Sequence, residues 1–210
     1  GIDILTIGAI RDYSSNIEVT KAIVNEDGFT LRFVGRGKGT VEHLQEYCKE
    51  AQANNVCFIG GYEKNEEAGY IKSCTFMNIF YPRIITHDTA LSNRFYNSLI
   101  HRKPMIVTKG TIQGDYAEKY NVGVAIDDCR NLVGELKTFI KQDYKEYCKR
   151  ADDLLKEFLK DQREFVEAVA PINVWEENYK NLNTKKFPEK EGTFNFIKWN
   201  NGVKKCKSNL

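Results

Sequence analysis

Short, almost wholly apolar runs alternate along this chain with longer stretches in which apolar positions recur every three or four residues. Ile2-Asp3-Ile4-Leu5-Thr6-Ile7-Gly8, Phe29-Thr30-Leu31-Arg32-Phe33-Val34-Gly35 and Val56-Cys57-Phe58-Ile59-Gly60 have the density and length of buried strands. Thr75 to Phe80, Met105 to Val107 and Val122 to Ile126 read the same way. Between them the spacing predicts helices over about 14–25, 40–53, 63–73, 112–120 and 130–141. Strand and helix alternating in this manner predict an α/β fold. The expected architecture is a three-layer, doubly wound, Rossmann-like domain with a parallel sheet of about six strands.

The middle of the chain carries one further helix. Leu91, Phe95, Ser98 and Leu99 fall on one face. Asp88 or Thr89 is placed to cap the first turn, and Pro104 stops any continuation beyond His101. After Asp143 the pattern changes to a long, highly charged helix over 144–168, interrupted by Pro171. Ile172-Asn173-Val174-Trp175 and Tyr179 suggest a short resumption, and 181–210 reads as an irregular tail. The expected organisation is therefore a Rossmann-like domain over 1–142, C-terminal crossover helices over 143–180, and the tail.

The 210 residues, 41% of them hydrophobic, suffice for one sizeable core. A net charge of +2 offers no electrostatic case for nucleic acid. No run is apolar enough to span a membrane, and no secretory signal is visible. The six cysteines are scattered without Cys-x-x-Cys or zinc-ligand spacing. They predict reduced thiols, buried at Cys57 and Cys74, and a protein that is cytoplasmic, either free or peripheral at the inner face of a membrane. No metal or cofactor is expected. The chain starts in a strand at Gly1 without an initiator Met, which suggests a piece of a longer protein.

In doubly wound sheets ligands sit beyond the carboxyl ends of the strands. The loops there run over about 8–14, 35–39, 60–62, 81–88 and 108–114. Glycines at 35 and 60 need no more explanation than a tight turn. Gly35-Arg36-Gly37-Lys38-Gly39 fails as a dinucleotide fingerprint, and it lacks the hydroxyl residue a P-loop has directly after its lysine. Arg11 follows the first strand and is read either as a phosphate cation or as a local surface partner of Asp12. Asn93, Arg94 and Asn97 share the outer stripe of the central helix, as a phosphate site or as a solvated face. His87 and Asp88 suggest acid-base chemistry, although adjacent side chains rarely pair with each other. His43 and His101 are expected at the surface, and no catalytic residue is assigned.

Asn93-Arg94-Phe95-Tyr96-Asn97, followed by Arg102-Lys103-Pro104-Met105-Ile106-Val107, resembles the donor-binding helix of GT-B glycosyltransferases. Gly8-Ala9-Ile10-Arg11, Val34-Gly35-Arg36-Gly37 and Val56-Cys57-Phe58-Ile59-Gly60-Gly61-Tyr62 resemble that family's other donor loops. The resemblance implies a nucleotide-diphosphate sugar as substrate. It places the diphosphate over Thr89, Ala90, Leu91, Ser92, Asn93 and Arg94 with Gly8 and Arg11, the ribose at Asn97, and the base at Gly61 and Tyr62. It also implies an N-terminal acceptor domain in the same protein, which Trp175 and Tyr179 would contact. The acceptor would be a glycan or a lipid-linked species in capsular or cell-surface polysaccharide synthesis in a bacterium. The chain departs from the family by carrying Thr89 and Asn97 where retaining members often carry two glutamates. Two alternatives stand beside this reading: a sugar-nucleotide epimerase of the same fold, and a Rossmann-like module that binds a partner.

Overall fold

In the computed structural model, residues 1–169 are described. Six parallel strands form one sheet: β1 (Ile2–Ala9), β2 (Phe29–Arg36), β3 (Val56–Ile59), β4 (Phe76–Ile79), β5 (Met105–Thr108) and β6 (Gly123–Ile126). Their order is β3-β2-β1-β4-β5-β6, the doubly wound arrangement that the alternation predicts. The helices are α1 (Tyr13–Ile23), α2 (Thr40–Glu50), α3 (Glu67–Ser73), α4 (Ile85–Thr89), α5 (Asn93–Ile100), α6 (Ile112–Tyr120), α7 (Leu132–Phe139) and α8 (Tyr144–Val169). Contacts divide the chain into one compact unit over Gly1–Gln162 and a second from Arg163 onward. Trp175, Tyr179 and the tail over 181–210 lie outside the described residues. Among the described residues no helix is long and apolar enough to cross a membrane.

The apolar runs are buried because parallel strands are covered on both faces. Ile4, Leu5, Leu31, Phe33, Phe76, Met77 and Ile106 have no exposed surface. Their burial, at about 25 cal/mol per Å², drives the fold. On one side α1 packs on α2 and α7. On another, Phe95 of α5, Tyr116 of α6 and Phe158 of α8 form a ring cluster, with the last two centroids 5.0 Å apart. α8 starts against α7, where Tyr147 meets Phe139 edge to face at 6.2 Å.

Two expectations change here. The central helix is not continuous from Thr89 to His101. It is a five-residue α4 and an eight-residue α5, separated by extended backbone at Ala90 and Ser92. The cap of α5 is Ser92, whose Oγ accepts the Phe95 amide at 3.3 Å. Asp88 is drawn off by Arg83, and the Thr89 hydroxyl donates back to the Ile85 carbonyl at 2.7 Å. Phe95, Ser98 and Leu99 face the core as their spacing predicts, while Leu91 packs there from the linker. Cys57 is exposed, not buried: it lies on β3, the edge strand, where one face lacks cover.

Gly35 does more than turn the chain. It pairs in register with Gly8, it has φ +135°, and a methyl on its Cα would stand 2.0 Å from the Gly8 carbonyl oxygen. A β-carbon there requires β1 and β2 to separate at the end that carries the loops. Gly35→Ala is expected to lower the unfolding free energy by about 3 kcal/mol, from left-handed strain plus overpacking, as read from the urea midpoint. Burial pushes the Cys74 and Cys129 thiols up to about 12, so almost no thiolate exists at pH 8. Iodoacetamide at that pH should modify Cys57 in the native chain, and Cys74 and Cys129 only after unfolding.

Candidate functional site

The sheet reverses direction of winding between β1 and β4, and the site grows from that point. These strands pair only at Ile4↔Phe76 and Leu5↔Met77. At the next position the ladder gives way to a buried side-chain bond: Asn78 Nδ2 donates to Thr6 Oγ1 at 2.9 Å, and Asn78 Oδ1 accepts the Phe80 amide. Beyond this pair the strands part and leave a crevice, with Gly8 on one bank and the β4 loop on the other.

Arg94 bridges the crevice. Its Nε donates to the Ile7 carbonyl at 2.6 Å, and an amino nitrogen donates to the Ala9 carbonyl at 2.8 Å. The guanidinium also lies 5.6 Å from the Tyr81 ring centroid, and Tyr81 in turn stacks on His87. The two carbonyls straddle Gly8, whose φ is +97°. Arg94 is therefore neither a solvated face nor a cation wholly free for phosphate. It holds the turn that leaves β1 against the first turn of α5.

The β4 loop is fixed just as closely. The Tyr81 amide donates to Thr108 Oγ1 at 2.9 Å, and that hydroxyl donates to the Tyr81 carbonyl at 2.7 Å. Arg83 clasps Asp88 through two hydrogen bonds and donates to the Lys109 carbonyl. His87 Nδ1 contacts the Pro82 carbonyl at 3.2 Å. His87 and Asp88 are thus spent on holding their own loop. Gln113, buried on α6, accepts both the Ser92 amide and the Ser92 hydroxyl through its Oε1, at 3.1 and 2.7 Å. Sequence spacing gave no notice of Gln113, Thr108 or Arg83. The polar Thr6 and Asn78 inside apolar strands were the one legible signal.

With Ser92 held and Phe95 capped, the amides of Asn93 and Arg94 have no acceptor among the described residues. They are the positive end of α5 and open beside the crevice. The Arg11 side chain is exposed and has no carboxylate or hydrogen-bond partner among the described residues. Its carbonyl accepts the Thr40 hydroxyl at 2.6 Å, which ties the β1 loop to α2. Asn97 is half-buried, one turn along α5. Thr89 and Ala90 are exposed and stand outside α5.

A second opening, of about 480 Å³, lies across the ends of β1, β2 and the β3 loop, lined by Gly8, Gly35, Arg36, Gly61, Tyr62 and Glu63. Tyr62 is built in rather than loose at the surface. Its hydroxyl donates to Glu67 Oε1 at 3.3 Å, and its ring meets Tyr70 edge-on at 6.0 Å. Burial, then the Glu67 carboxylate, raises its pKa, so the phenol stays a neutral donor. Elsewhere, His43 is exposed as expected, while His101 is half-buried and its pKa is lowered by burial. Among the described residues no group of three or more His, Cys, Asp or Glu is placed to hold a metal ion.

The order of strands, the crevice at the switch point and the helix opening onto it define a class of structure, and solved proteins share it. The structural neighbours are GT-B glycosyltransferases. The catalytic domain of cholesterol-α-glucosyltransferase from Helicobacter pylori matches with a TM-score of 0.57 at 12% identity, over 76% of this chain and 98% of that one. HepE from Anabaena, solved in complex with UDP, matches with a TM-score of 0.61 at 13% identity, over 80% of this chain and 48% of that one. The α,α-trehalose-6-phosphate synthase from Burkholderia multivorans matches with a TM-score of 0.58 at 10% identity, over 90% of this chain and 45% of that one. The chain spans about half the length of the last two. No protein family and no curated protein matches it in sequence.

Removing Arg94 should be felt without any ligand. Arg94→Ala strands two carbonyls at the crevice and is expected to cost about 2 kcal/mol. Arg94→Lys should recover only part, because one ammonium lacks the fork that spans both oxygens. Urea unfolding of the nucleotide-free chain measures both, and an unchanged midpoint for Arg94→Ala would contradict the bridging role.

Proposed function

We propose that this chain is the nucleotide-sugar-binding half of a GT-B glycosyltransferase. The observation that carries the reading is the pair of amides at Asn93 and Arg94, without an acceptor among the described residues, open on the switch-point crevice with the exposed Arg11 on the β1 loop. A helix terminus and a guanidinium converging on one crevice suit a diphosphate. In this reading the diphosphate lies over Ser92, Asn93 and the Arg94 amide, with Gly8 allowing close approach. Arg11 offsets its charge as the bond from sugar to phosphate breaks. Asn97 offers its amide to the ribose in place of a glutamate. The base enters the opening at Gly61 and Tyr62. The resemblance in fold to a protein solved with UDP supports this placement.

Thr89 and Ala90 have a lesser part than the sequence suggests, since α5 starts after them. The acceptor is a glycan or lipid-linked species of a growing surface polysaccharide, bound with an N-terminal domain of the same protein. By itself this half binds donor and transfers nothing. The epimerase alternative gains no support, because His87 and Asp88 are committed to loop contacts. A partner-binding module remains the second reading, favoured by the engagement of Arg94 with backbone rather than solvent.

Calorimetric titration with UDP, GDP and their sugar conjugates decides between the two. The donor reading expects saturable binding of at least one nucleotide, weakened by about 1–3 kcal/mol in Arg11→Ala. Equal binding by wild type and Arg11→Ala, or none to any nucleotide, would favour the partner module.

A further inference from the structure

We propose that Arg36 is the residue that grips the donor's nucleobase, its guanidinium forming a flat platform on which the base stacks. The inference rests on the donor-site reading above and deepens it by naming how the base is held.

Arg36 is the last residue of β2, in register with Ala9, and its side chain is exposed. Four other cations in the surrounding loops are occupied. Lys64 pairs with Glu67, Arg83 with Asp88, Lys109 with Glu118 at 3.9 Å, and Arg94 with two carbonyls. The Arg36 side chain has no carboxylate and no hydrogen-bond acceptor among the described residues.

Its position is nonetheless defined. A methyl on Gly61 would stand 2.5 Å from Arg36 Nε, 2.8 Å from an amino nitrogen and 2.9 Å from the central carbon. The guanidinium therefore lies across the Gly61 Cα and leans toward the β3 loop. It lines the same 480 Å³ opening as Tyr62 and Gly8, so the opening has a cationic plane and an aromatic ring in its walls.

Geometry separates this role from phosphate binding. β2 and β4 are two strand positions apart, roughly 10 Å, and α5 follows β4. Arg36 leans away from that side. A guanidinium is planar and weakly hydrated, and it stacks on π systems in a way that an ammonium does not. Stacking tolerates any base, so it supplies affinity without choosing between uracil and guanine.

The test uses the whole chain, titrated with UDP, GDP and inorganic pyrophosphate. Arg36→Ala and Arg36→Lys should each weaken both nucleotides about ten-fold and leave pyrophosphate unchanged. Gly61→Ala should weaken the nucleotides by a smaller factor, because its methyl lifts the guanidinium while the exposed loop keeps its fold. Arg11→Ala should weaken all three ligands. Wild-type nucleotide affinity in Arg36→Lys would mean that a point charge suffices, and would overturn the stacking role. So would an Arg36→Ala chain that loses pyrophosphate in step with nucleotide, or one that loses neither. A wild-type chain that takes pyrophosphate but gains nothing from a nucleoside overturns this inference and leaves the anion site standing. A chain that binds none of the three overturns the donor reading itself.

Discussion

The parting of β1 from β4 is the constraint on which the rest of the site depends. Two parallel strands that separate inside a buried sheet leave backbone groups without ladder partners, and each such group must find another. Asn78 answers this with one amide, bonding Thr6 and the Phe80 N–H together. Arg94 answers it from across the crevice by donating to Ile7 and Ala9. The crevice is thus made by side chains that keep the strands apart and satisfied. Arg94 also holds the turn at Gly8 against the first turn of α5.

Rigidity spreads outward from there through a few polar contacts. Thr108 pins Tyr81, Arg83 pins Asp88 and the Lys109 carbonyl, and Gln113 pins Ser92. Each joins a loop after one strand to the element after the next. The outcome is a rim in which Arg83, Asp88, Arg94 and Lys109 are already matched. Two amides of α5, Arg11, Lys38 and Arg36 beside Gly61 have no such partner among the described residues. A site read by subtraction in this way needs no conserved motif. It suits a chain that shares a fold with solved glycosyltransferases at identities of 9–13% in several cases.

Glycine and cysteine illustrate how context reverses a residue's reading. Gly35 and Gly60 look alike in sequence, each ending a strand. A methyl on Gly35 would strike the Gly8 carbonyl, whereas one on Gly60 would meet nothing within 4 Å. Cys57 and Cys74 both sit beside apolar residues. Cys74 is buried, with its carbonyl bonded by Lys103, whereas Cys57 is left open at the sheet edge. Local pattern carries no information on which strand is an edge or which backbone comes close.

The sequence by itself determined the class of fold, the six strands, the long α8 and the apolar faces of its helices, because burial on a sheet demands period and length that are written locally. Phe95, Ser98 and Leu99 were legible for that reason. Only the tertiary structure decided where the central helix breaks, since Ser92 becomes its cap through Gln113, twenty-one residues away in the chain. Only it decided that Arg94 serves the backbone of β1, across a separation of 87 residues. Polar side chains choose partners by proximity in space, and their spacing along the chain does not record it.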